Sequence, residues 1–313
     1  MYKNLTKIPT LNMSHDEWLQ HRQKSIGGSD AASILGLNPW ASPYTVWADK
    51  VGKLPPKEDN EAMRQGRDLE FYVAQRFAEQ TGKKVRRENY IIVNPDYPFA
   101  HANVDRLIIG EDAGLECKTT STLNVKNFKN GAFPDTYYVQ CVHYMMVTGC
   151  KKWYLAVLVL NKEFMVFEIE RDEEEIAALA KSEEEFWRLV EAKTSPVADG
   201  NTSTSNTISV LYPESNDESV NLFAYETDLQ QYMALTAQIK ELEKLKDEMA
   251  NKVKAFLGEA GRGETDRYKV SWVSAQRSTF DSKRFASEHS DIDLSEYYKN
   301  STYRTFKVTE KTN

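Results

Sequence analysis

The spacing of hydrophobic and polar positions divides the chain into alternating helices and strands. Ser29 and Asp30 precede the run AASILGL, which predicts a helix opened by a side-chain cap. The elements predicted after it are a helix over 61–81, strands over 88–94, 99–110 and 114–120, a helix over 135–149, the strands WYLAVLVL and EFMVFEIE, and an acidic helix over 172–190. This order predicts an α/β (α+β) fold with a mixed central sheet flanked by helices.

The region after the acidic helix has a different composition, rich in Ser, Thr, Asn, Asp and Pro, which is typical of a linker. We therefore predict a main domain over 1–190, a linker over 191–225 and a C-terminal part over 226–313. The C-terminal part should contain a long helix and a small strand–helix–strand module that ends with TYRTFKV.

The predicted long helix carries a stripe of apolar residues. They recur at alternating spacings of three and four from Tyr232 to Phe256, with Lys246 as an interruption. This pattern indicates more than three heptads. The helix could therefore form a coiled-coil arm, or it could pack against its own domain.

Composition and charge narrow the class of protein. The 313 residues are 41% hydrophobic and 28% charged, which excludes a wholly disordered chain. The net charge of −7 is concentrated in residues 168–185, where nine acids face two bases. The remainder is neutral and has local basic clusters, so charge neither supports nor excludes a DNA partner. The sequence shows no membrane-length apolar segment and no export signal, and its three cysteines predict no disulfide framework. We expect a cytoplasmic protein, in the bacterial host if a phage or prophage encodes it.

The residues with the clearest chemical pattern lie between Asp105 and Lys118. Asp105 falls in a predicted strand, and Glu116 and Lys118 alternate on the next strand, so both should lie on one face. Two carboxylates and an ammonium on adjacent strands can bind Mg²⁺ or Mn²⁺, rather than zinc, and position an attacking water. By spacing alone, the same residues could form an exposed salt bridge on a sheet.

Other polar residues could complete such a site. Glu70 lies among apolar neighbours on the helix over 61–81, where it is either a further metal ligand or a surface carboxylate. Gln140 and Tyr144 stand four residues apart and share one helix face. If that face meets the sheet, these two side chains could fix a phosphate or the attacking water, whereas the alternative is a partly buried polar edge.

Together these residues resemble a known nuclease family. Glu70, Asp105, Glu116-Cys117-Lys118 and Gln140-x₃-Tyr144 are similar, in order, to the PD-(D/E)XK pattern, in its lambda exonuclease (YqaJ-like viral recombinase) variant. The upstream runs Trp18-x₃-Arg22-x₄-Gly27-Gly28-Ser29-Asp30-Ala31 and Gly66-Arg67-x₂-Glu70 also resemble motifs of that family. The resemblance covers roughly residues 14–190. One departure is Arg106, where a glycine commonly follows the aspartate, and it could alter a neighbouring DNA contact.

The resemblance implies a restriction-endonuclease-like core and a metal-dependent exonuclease. Such an enzyme would degrade one strand of linear duplex DNA from its 5′ end and leave a 3′ single strand for recombination. Asp105 and Glu116 would bind Mg²⁺, with two ions expected and Mn²⁺ able to substitute. Glu70 and the backbone carbonyl of Cys117 would complete the metal site, and Lys118 and Gln140 would position the water.

The resemblance also assigns substrate contacts and partners. Arg22 and Ser29 match positions that receive the 5′-phosphate, and Tyr144 would contact the substrate, although Arg22 could instead pair with a nearby acid. A guanidinium forks onto phosphate oxygens, and Ser29 lies at a predicted helix N-terminus, which attracts anions. The implied partners are duplex DNA ends, a single-strand annealing protein and further copies of the chain, for example in a ring-shaped trimer.

The sequence predicts neither of two further cofactors, and it leaves two other functions as alternatives. Three cysteines are too few for the four-cysteine iron–sulfur cluster of a related branch, and the five histidines lack zinc-ligand spacing. An endonuclease of the same superfamily, acting internally or on branched DNA, remains an alternative. A non-catalytic DNA-binding adaptor is the other, although the intact Asp105, Glu116 and Lys118 argue against it.

Overall fold

The computed structural model describes residues 4–56, 58–289, 291–299 and 301–311, and it divides into two compact units, Met1–Tyr212 and Pro213–Asn313. The helices are α1 (His15–Gln23), α2 (Gly28–Ile34), α3 (Pro43–Lys50), α4 (Glu61–Thr81), α5 (Asp135–Thr148), α6 (Glu173–Glu191), α7 (Thr202–Leu211), α8 (Glu226–Leu257) and α9 (Ser282–Glu288). The strands are β1 (Thr6–Pro9), β2 (Ile26–Gly27), β3 (Val85–Arg87), β4 (Tyr90–Val93), β5 (Ala100–Ala102), β6 (Arg106–Ile108), β7 (Ala113–Thr120), β8 (Lys152–Val159), β9 (Glu163–Glu170), β10 (Arg262–Glu264) and β11 (Lys269–Ser271).

The first unit is built on a five-stranded sheet with the order β3-β6-β7-β8-β9. Strands β7 and β8 are parallel, whereas the other neighbours in this sheet are antiparallel. Parallel neighbours need a crossover connection, and the segment that contains α5 supplies it. The predicted fold, a mixed sheet flanked by helices, is confirmed.

Helices cover both faces of this sheet. Helix α4 places Val73 and Phe77 in a cluster with Leu115 of β7, and α5 lies over the other face with Met145 in a cluster that contains Trp153 of β8. Side chains alternate along a strand, so Leu115 points towards α4. The neighbouring positions Glu116 and Lys118 therefore point towards α5, as the period-2 argument predicts.

The predicted strand over 99–110 is wrong as a single element. Its first part is β5, which pairs with β4 and β2 in a separate sheet of order β1-β4-β5-β2, and its last part is β6 of the five-stranded sheet. Asp105 lies in the bend between the two strands and not in a strand. The hydrophobic alternation runs through this bend, so it cannot mark where the chain changes sheets.

The predicted linker over 191–225 contains helix α7. Thr204 and Thr207 of this helix are buried against the segment around α3. The Thr204 hydroxyl donates to Ser42 Oγ over 2.7 Å, and the hydroxyls of Thr207 and Thr45 lie 2.9 Å apart. Hydrogen bonds between hydroxyl groups thus attach α7 to the rest of the first unit. The Ser- and Thr-rich sequence that forms these bonds is also the composition that predicts a loop.

The second unit consists of α8, the hairpin of β10 and β11, and α9. Apolar side chains along α8 are largely exposed; Leu235, Ile239 and Leu242 are 56%, 57% and 64% exposed. Between residues 301 and 311 the structure contains no strand, so the predicted final strand TYRTFKV is wrong. Its Phe306 instead packs edge-on against the Tyr232 ring of α8. Within the described ranges, no helix is both long and apolar enough to cross a bilayer.

Candidate active site

Four side chains from β7 and α5 form one hydrogen-bonded network. Lys118 Nζ lies 2.6 Å from Glu116 Oε1 and donates to Gln140 Oε1 over 2.8 Å. The Gln140 amide nitrogen in turn donates to Glu116 Oε1 and to the Tyr144 hydroxyl, both over 2.8 Å. Glu116, Gln140 and Tyr144 are buried. The sequence-based pairing of Gln140 and Tyr144 with the sheet therefore corresponds to direct contact.

Lys118 is held as a cation in this network. Burial disfavours the charged ammonium, but the Glu116 carboxylate and the nearby Asp105 outweigh it and raise the pKa of Lys118. The ammonium also lies 5.3 Å from the centre of the Tyr137 ring. At neutral pH this lysine is protonated, so it can neutralise negative charge or orient a water, but it cannot act as a base.

Asp105 reaches the same place from the bend before β6. One of its carboxylate oxygens accepts a hydrogen bond from the Cys117 backbone N–H over 2.8 Å. Burial, followed by the negative charges of Glu116 and Glu70, raises the pKa of Asp105 well above its ordinary value. The three carboxylates thus repel one another strongly enough to favour a bound cation.

A divalent cation fits the chemistry of this cluster. Glu116 Oε2 is buried and has no hydrogen-bond partner among the described residues, which is costly unless a cation satisfies it. Hard oxygen donors of this kind suit Mg²⁺ or Mn²⁺. In the part of the chain that the structure describes, however, no three His, Cys, Asp or Glu side chains are gathered into a metal-holding set. Glu70, the predicted third carboxylate, is instead in an ion pair with an arginine.

Glu70 is paired with Arg106, the residue that departs from the family pattern. The Arg106 guanidinium forms an ion pair with Glu70 Oε1, and the same nitrogen donates to the Asp105 backbone carbonyl over 2.7 Å. The Arg106 side chain is only 6% exposed. Both residues line a cleft of about 470 Å³ together with Arg67, Phe71 and Arg87.

The predicted phosphate-binding residues form a second cluster at the start of α2. Arg22 Nη2 donates to Ser29 Oγ over 2.8 Å and lies 3.3 Å from Asp30 Oδ1. The guanidinium carbon also lies 4.9 Å from the Trp18 ring centre. Arg22 therefore both contacts Ser29 and pairs with an acid, so the two interpretations of this arginine are compatible.

Sequence reasoning missed Lys50, which organises this cluster from the end of α3. Lys50 Nζ lies 2.7 Å from Asp30 Oδ2 and donates to the Arg22 backbone carbonyl over 2.7 Å, and its side chain is 1% exposed. Burial raises the pKa of a carboxyl, but Lys50 and Arg22 outweigh burial and lower the pKa of Asp30 below its ordinary range. Asp30 is thus a fixed anion that orients Arg22.

Gly28 joins the two clusters. A Cβ at this position would lie 2.6 Å from Tyr144 Cε1 and 3.2 Å from Gln140 Cγ. Only a glycine lets the start of α2 approach α5 this closely. Ser29 therefore follows directly on the backbone that packs on the Gln140–Tyr144 face, and Arg22 is joined to it by the hydrogen bond to Ser29.

The sequence is similar to those of known proteins over the residues that form this site. A family model described as the YqaJ-like viral recombinase domain matches residues 17–151, a range that contains every predicted site residue. The uncharacterized protein YqaJ of Bacillus subtilis (strain 168) is 39% identical over 304 residues, which cover 95% of this chain and 95% of that protein. The chain belongs to the YqaJ-like viral recombinase family. The family predicted from the motifs is confirmed.

The structure of this family member is similar to that of a solved exonuclease. The alkaline exonuclease LHK-Exo from Laribacter hongkongensis has a TM-score of 0.51 and 23% identity, covering 57% of this chain and 93% of the exonuclease. The same exonuclease in complex with dAMP gives a TM-score of 0.51 and 24% identity, with the same coverage. The chain therefore shares the fold of this alkaline exonuclease, and the predicted fold class is confirmed.

A buried ion pair behind α5 is a further feature of this family member that the sequence analysis missed. His143 Nδ1 lies 2.7 Å from Glu183 Oε1, and His143 Nε2 lies 2.9 Å from the His101 backbone oxygen. Both ring nitrogens face acceptors, so the imidazole must be protonated to satisfy them. Burial opposes this, but Glu183 outweighs it and raises the pKa of His143. The pair attaches α5 to α6 and so supports the helix that carries Gln140.

Proposed function

We propose that the protein is a metal-dependent deoxyribonuclease that hydrolyses one strand of linear duplex DNA from its 5′ end. The observation that carries this proposal is the buried network of Glu116, Lys118 and Gln140 beside Asp105, with a carboxylate oxygen that lacks a protein partner. Membership of a viral recombinase family and the fold shared with an alkaline exonuclease support it.

The proposed metal ligands are Asp105, Glu116 and the backbone carbonyl of Cys117, with Glu70 completing the site. These are all oxygen donors, which favours Mg²⁺ with Mn²⁺ as a substitute. When bound, a divalent cation would polarise the scissile phosphodiester and lower the pKa of the attacking water. Binding would also offset the burial and the neighbouring negative charges that raise the pKa of Asp105.

Lys118 and Gln140 are the proposed positioning groups for the attacking water. Lys118 is protonated, so its ammonium donates to an oxygen of the water or of the phosphate as negative charge develops. Gln140 bridges Lys118 and Glu116 and keeps both side chains in one orientation. Tyr144 accepts a hydrogen bond from the Gln140 amide and packs against Gly28, where we expect it to contact the substrate.

Arg22 and Ser29 are the proposed receptors for a terminal 5′-phosphate. Arg22 remains partly exposed, at 29%, so a phosphate can reach its guanidinium. The contact of Gly28 with Tyr144 and Gln140 sets this receptor beside the catalytic network. A terminus captured there would leave the first phosphodiester near Lys118, which supports 5′ polarity and release of mononucleotides. The complex of LHK-Exo with dAMP supports a nucleotide as the ligand of such a site.

The proposed partners are a single-strand annealing protein, which would coat the exposed strand, and further copies of this chain in a ring-shaped trimer. The place of action would be the host cytoplasm. The exposed apolar stripe of α8 offers a contact surface for these assemblies. Light scattering of the full chain and of a Leu242→Ser variant tests its role, because a contact through the stripe should be weakened by the serine.

Digestion of end-labelled DNA tests the end specificity and polarity of the proposed enzyme. A linear duplex labelled at one 5′ end or one 3′ end is incubated with Mg²⁺ beside a covalently closed circle of the same sequence. We expect early release of the 5′ label as a mononucleotide, late release of the 3′ label and an intact circle.

Other outcomes would favour the alternatives. Nicking of the circle would support an endonuclease that acts internally. Binding of the duplex without any cleavage would support a DNA-binding adaptor. Early release of the 3′ label would contradict the proposed polarity while leaving the nuclease assignment intact.

A further inference from the structure

Arg106 holds Glu70, the predicted third carboxylate of the metal site, in an ion pair. Its guanidinium is buried, pairs with Glu70 Oε1 and donates to the carbonyl of Asp105. Arginine cannot be deprotonated in a protein, so this positive charge is permanent. Glu70 is therefore already neutralised by a side chain of the same molecule.

The strand register explains why Arg106 meets Glu70 and not Glu116. Arg106 of β6 is directly paired with Leu115 of β7, and paired residues point to the same face of a sheet. Leu115 packs with the α4 residues, so Arg106 also points towards α4, which carries Glu70. Glu116 points to the opposite face, where Gln140 and Lys118 hold it.

We propose that the Arg106 guanidinium withdraws Glu70 from the metal site, so that the site holds one divalent cation. This inference rests on the proposed nuclease function. Asp105, Glu116 and the Cys117 carbonyl would hold this ion, whereas Glu70, neutralised by Arg106, would no longer complete the site. This replaces the two-ion expectation that the family resemblance implies.

The charges of the cluster support a single ion. Three carboxylates, those of Glu70, Asp105 and Glu116, share two cationic side chains, Arg106 and Lys118, through the ion pairs of Arg106 with Glu70 and of Lys118 with Glu116. One divalent ion is enough to reverse the sign of this cluster and attract a phosphodiester. A second ion that used Glu70 as a ligand would have to compete with a buried guanidinium for this carboxylate, which is strongly unfavourable.

The number and spacing of bound Mn²⁺ ions test this proposal without reference to activity. Bound ions are counted by equilibrium dialysis, and their electron paramagnetic resonance spectrum is recorded with and without a duplex whose 5′-terminal linkages are phosphorothioates. The variants are Arg106→Gly, which removes the guanidinium, and Arg106→Lys as the matched control that keeps a positive charge. Arg106→Gln serves as a second neutral variant if the glycine destabilises β6.

We expect the wild type and Arg106→Lys to bind one Mn²⁺ per chain and to give the spectrum of an isolated ion, also with DNA. Arg106→Gly and Arg106→Gln should bind two ions and show the exchange coupling of neighbouring Mn²⁺. Two coupled ions in the wild type would overturn the proposal, and so would a single ion in both neutral variants. If the wild type neither binds Mn²⁺ nor cleaves DNA, the nuclease function itself fails; two ions with normal cleavage would overturn only this inference.

Discussion

Gly28→Ala should damage both stability and catalysis, because it inserts a methyl group between α2 and α5. The new Cβ would lie 2.6 Å from Tyr144 Cε1 and 3.2 Å from Gln140 Cγ, whereas carbon atoms in contact are separated by about 3.5–4 Å. The Tyr144 ring cannot simply move away, because it is buried against Trp153 at a ring-centre distance of 5.2 Å. Overpacking of this kind costs about 1–3 kcal/mol.

The same displacement should slow cleavage, because the Gln140 amide is anchored to the Tyr144 hydroxyl. A shift of about 1 Å in a positioning group can cost about 10²-fold in rate. Thermal unfolding followed by circular dichroism should show a fall of roughly 2–4 °C per kcal/mol lost for a unit of this size. The cleavage rate on a linear duplex is measured on the same preparation.

Gly200→Ala is the matched control for this substitution. Among the described residues, no heavy atom lies within 4 Å of a Cβ built there, so wild-type stability or a gain of about 0.4–1 kcal/mol is expected. If Gly28→Ala unfolds at the wild-type temperature and cleaves at the wild-type rate, the close approach of α2 to the catalytic network is refuted.

Four further predictions follow from single side chains. Lys118→Ala should lower kcat by about 10²–10³-fold while duplex binding in a gel-shift assay survives; near-normal cleavage would contradict its role. Arg22→Ala should raise KM about 10–100-fold for 5′-phosphorylated ends only, and an equal loss on 5′-hydroxyl ends would show a purely structural role. The pKa of Asp105 is raised in the metal-free protein, first by burial and then by neighbouring carboxylates, so Mn²⁺ binding should release protons. The calorimetric enthalpy of Mn²⁺ binding should therefore differ between phosphate and Tris buffers. Equal enthalpies in the two buffers would argue against Asp105 as a ligand. Burial disfavours the charged ring of His143, but Glu183 outweighs it and raises the pKa of His143, so the stabilisation from the protonated ring should be complete below about pH 6.5 and disappear as the pH rises through the raised pKa. The difference in unfolding free energy between wild type and His143→Gln should therefore shrink as the pH rises above about 6.5, and a constant difference would refute the ion pair.

The elements around the site were predictable because their patterns are local. The helix predicted over 172–190 is α6 (Glu173–Glu191), and the strand predicted over 114–120 is β7 (Ala113–Thr120). Both have a strong hydrophobic period and clear turn or capping residues at their ends. Period 2 along β7 was sufficient to place Glu116 and Lys118 on one face.

The contacts that the sequence analysis missed join residues that are distant in sequence. Lys50 is 20 residues from Asp30, and Arg106 is 36 residues from Glu70, so no spacing rule relates the members of either pair. For the buried glutamate of α6 a signal did exist. Glu183 falls on the apolar stripe formed by Ile176, Leu179, Phe186 and Val190, which are all buried. A charged residue within such a stripe predicts a buried partner.

The decisive test of a metal-dependent nuclease centre compares cleavage by the wild type with cleavage by Glu116→Gln, because the Glu116 carboxylate has the unsatisfied buried oxygen. A linear duplex is incubated with each protein in Mg²⁺ and, separately, in EDTA, and folding of the variant is verified by circular dichroism. We expect cleavage by the wild type in Mg²⁺, none in EDTA, and a cleavage rate at least about 10²-fold lower in the folded variant. Cleavage in EDTA, or wild-type cleavage by Glu116→Gln, would contradict a metal-dependent nuclease centre at this cluster.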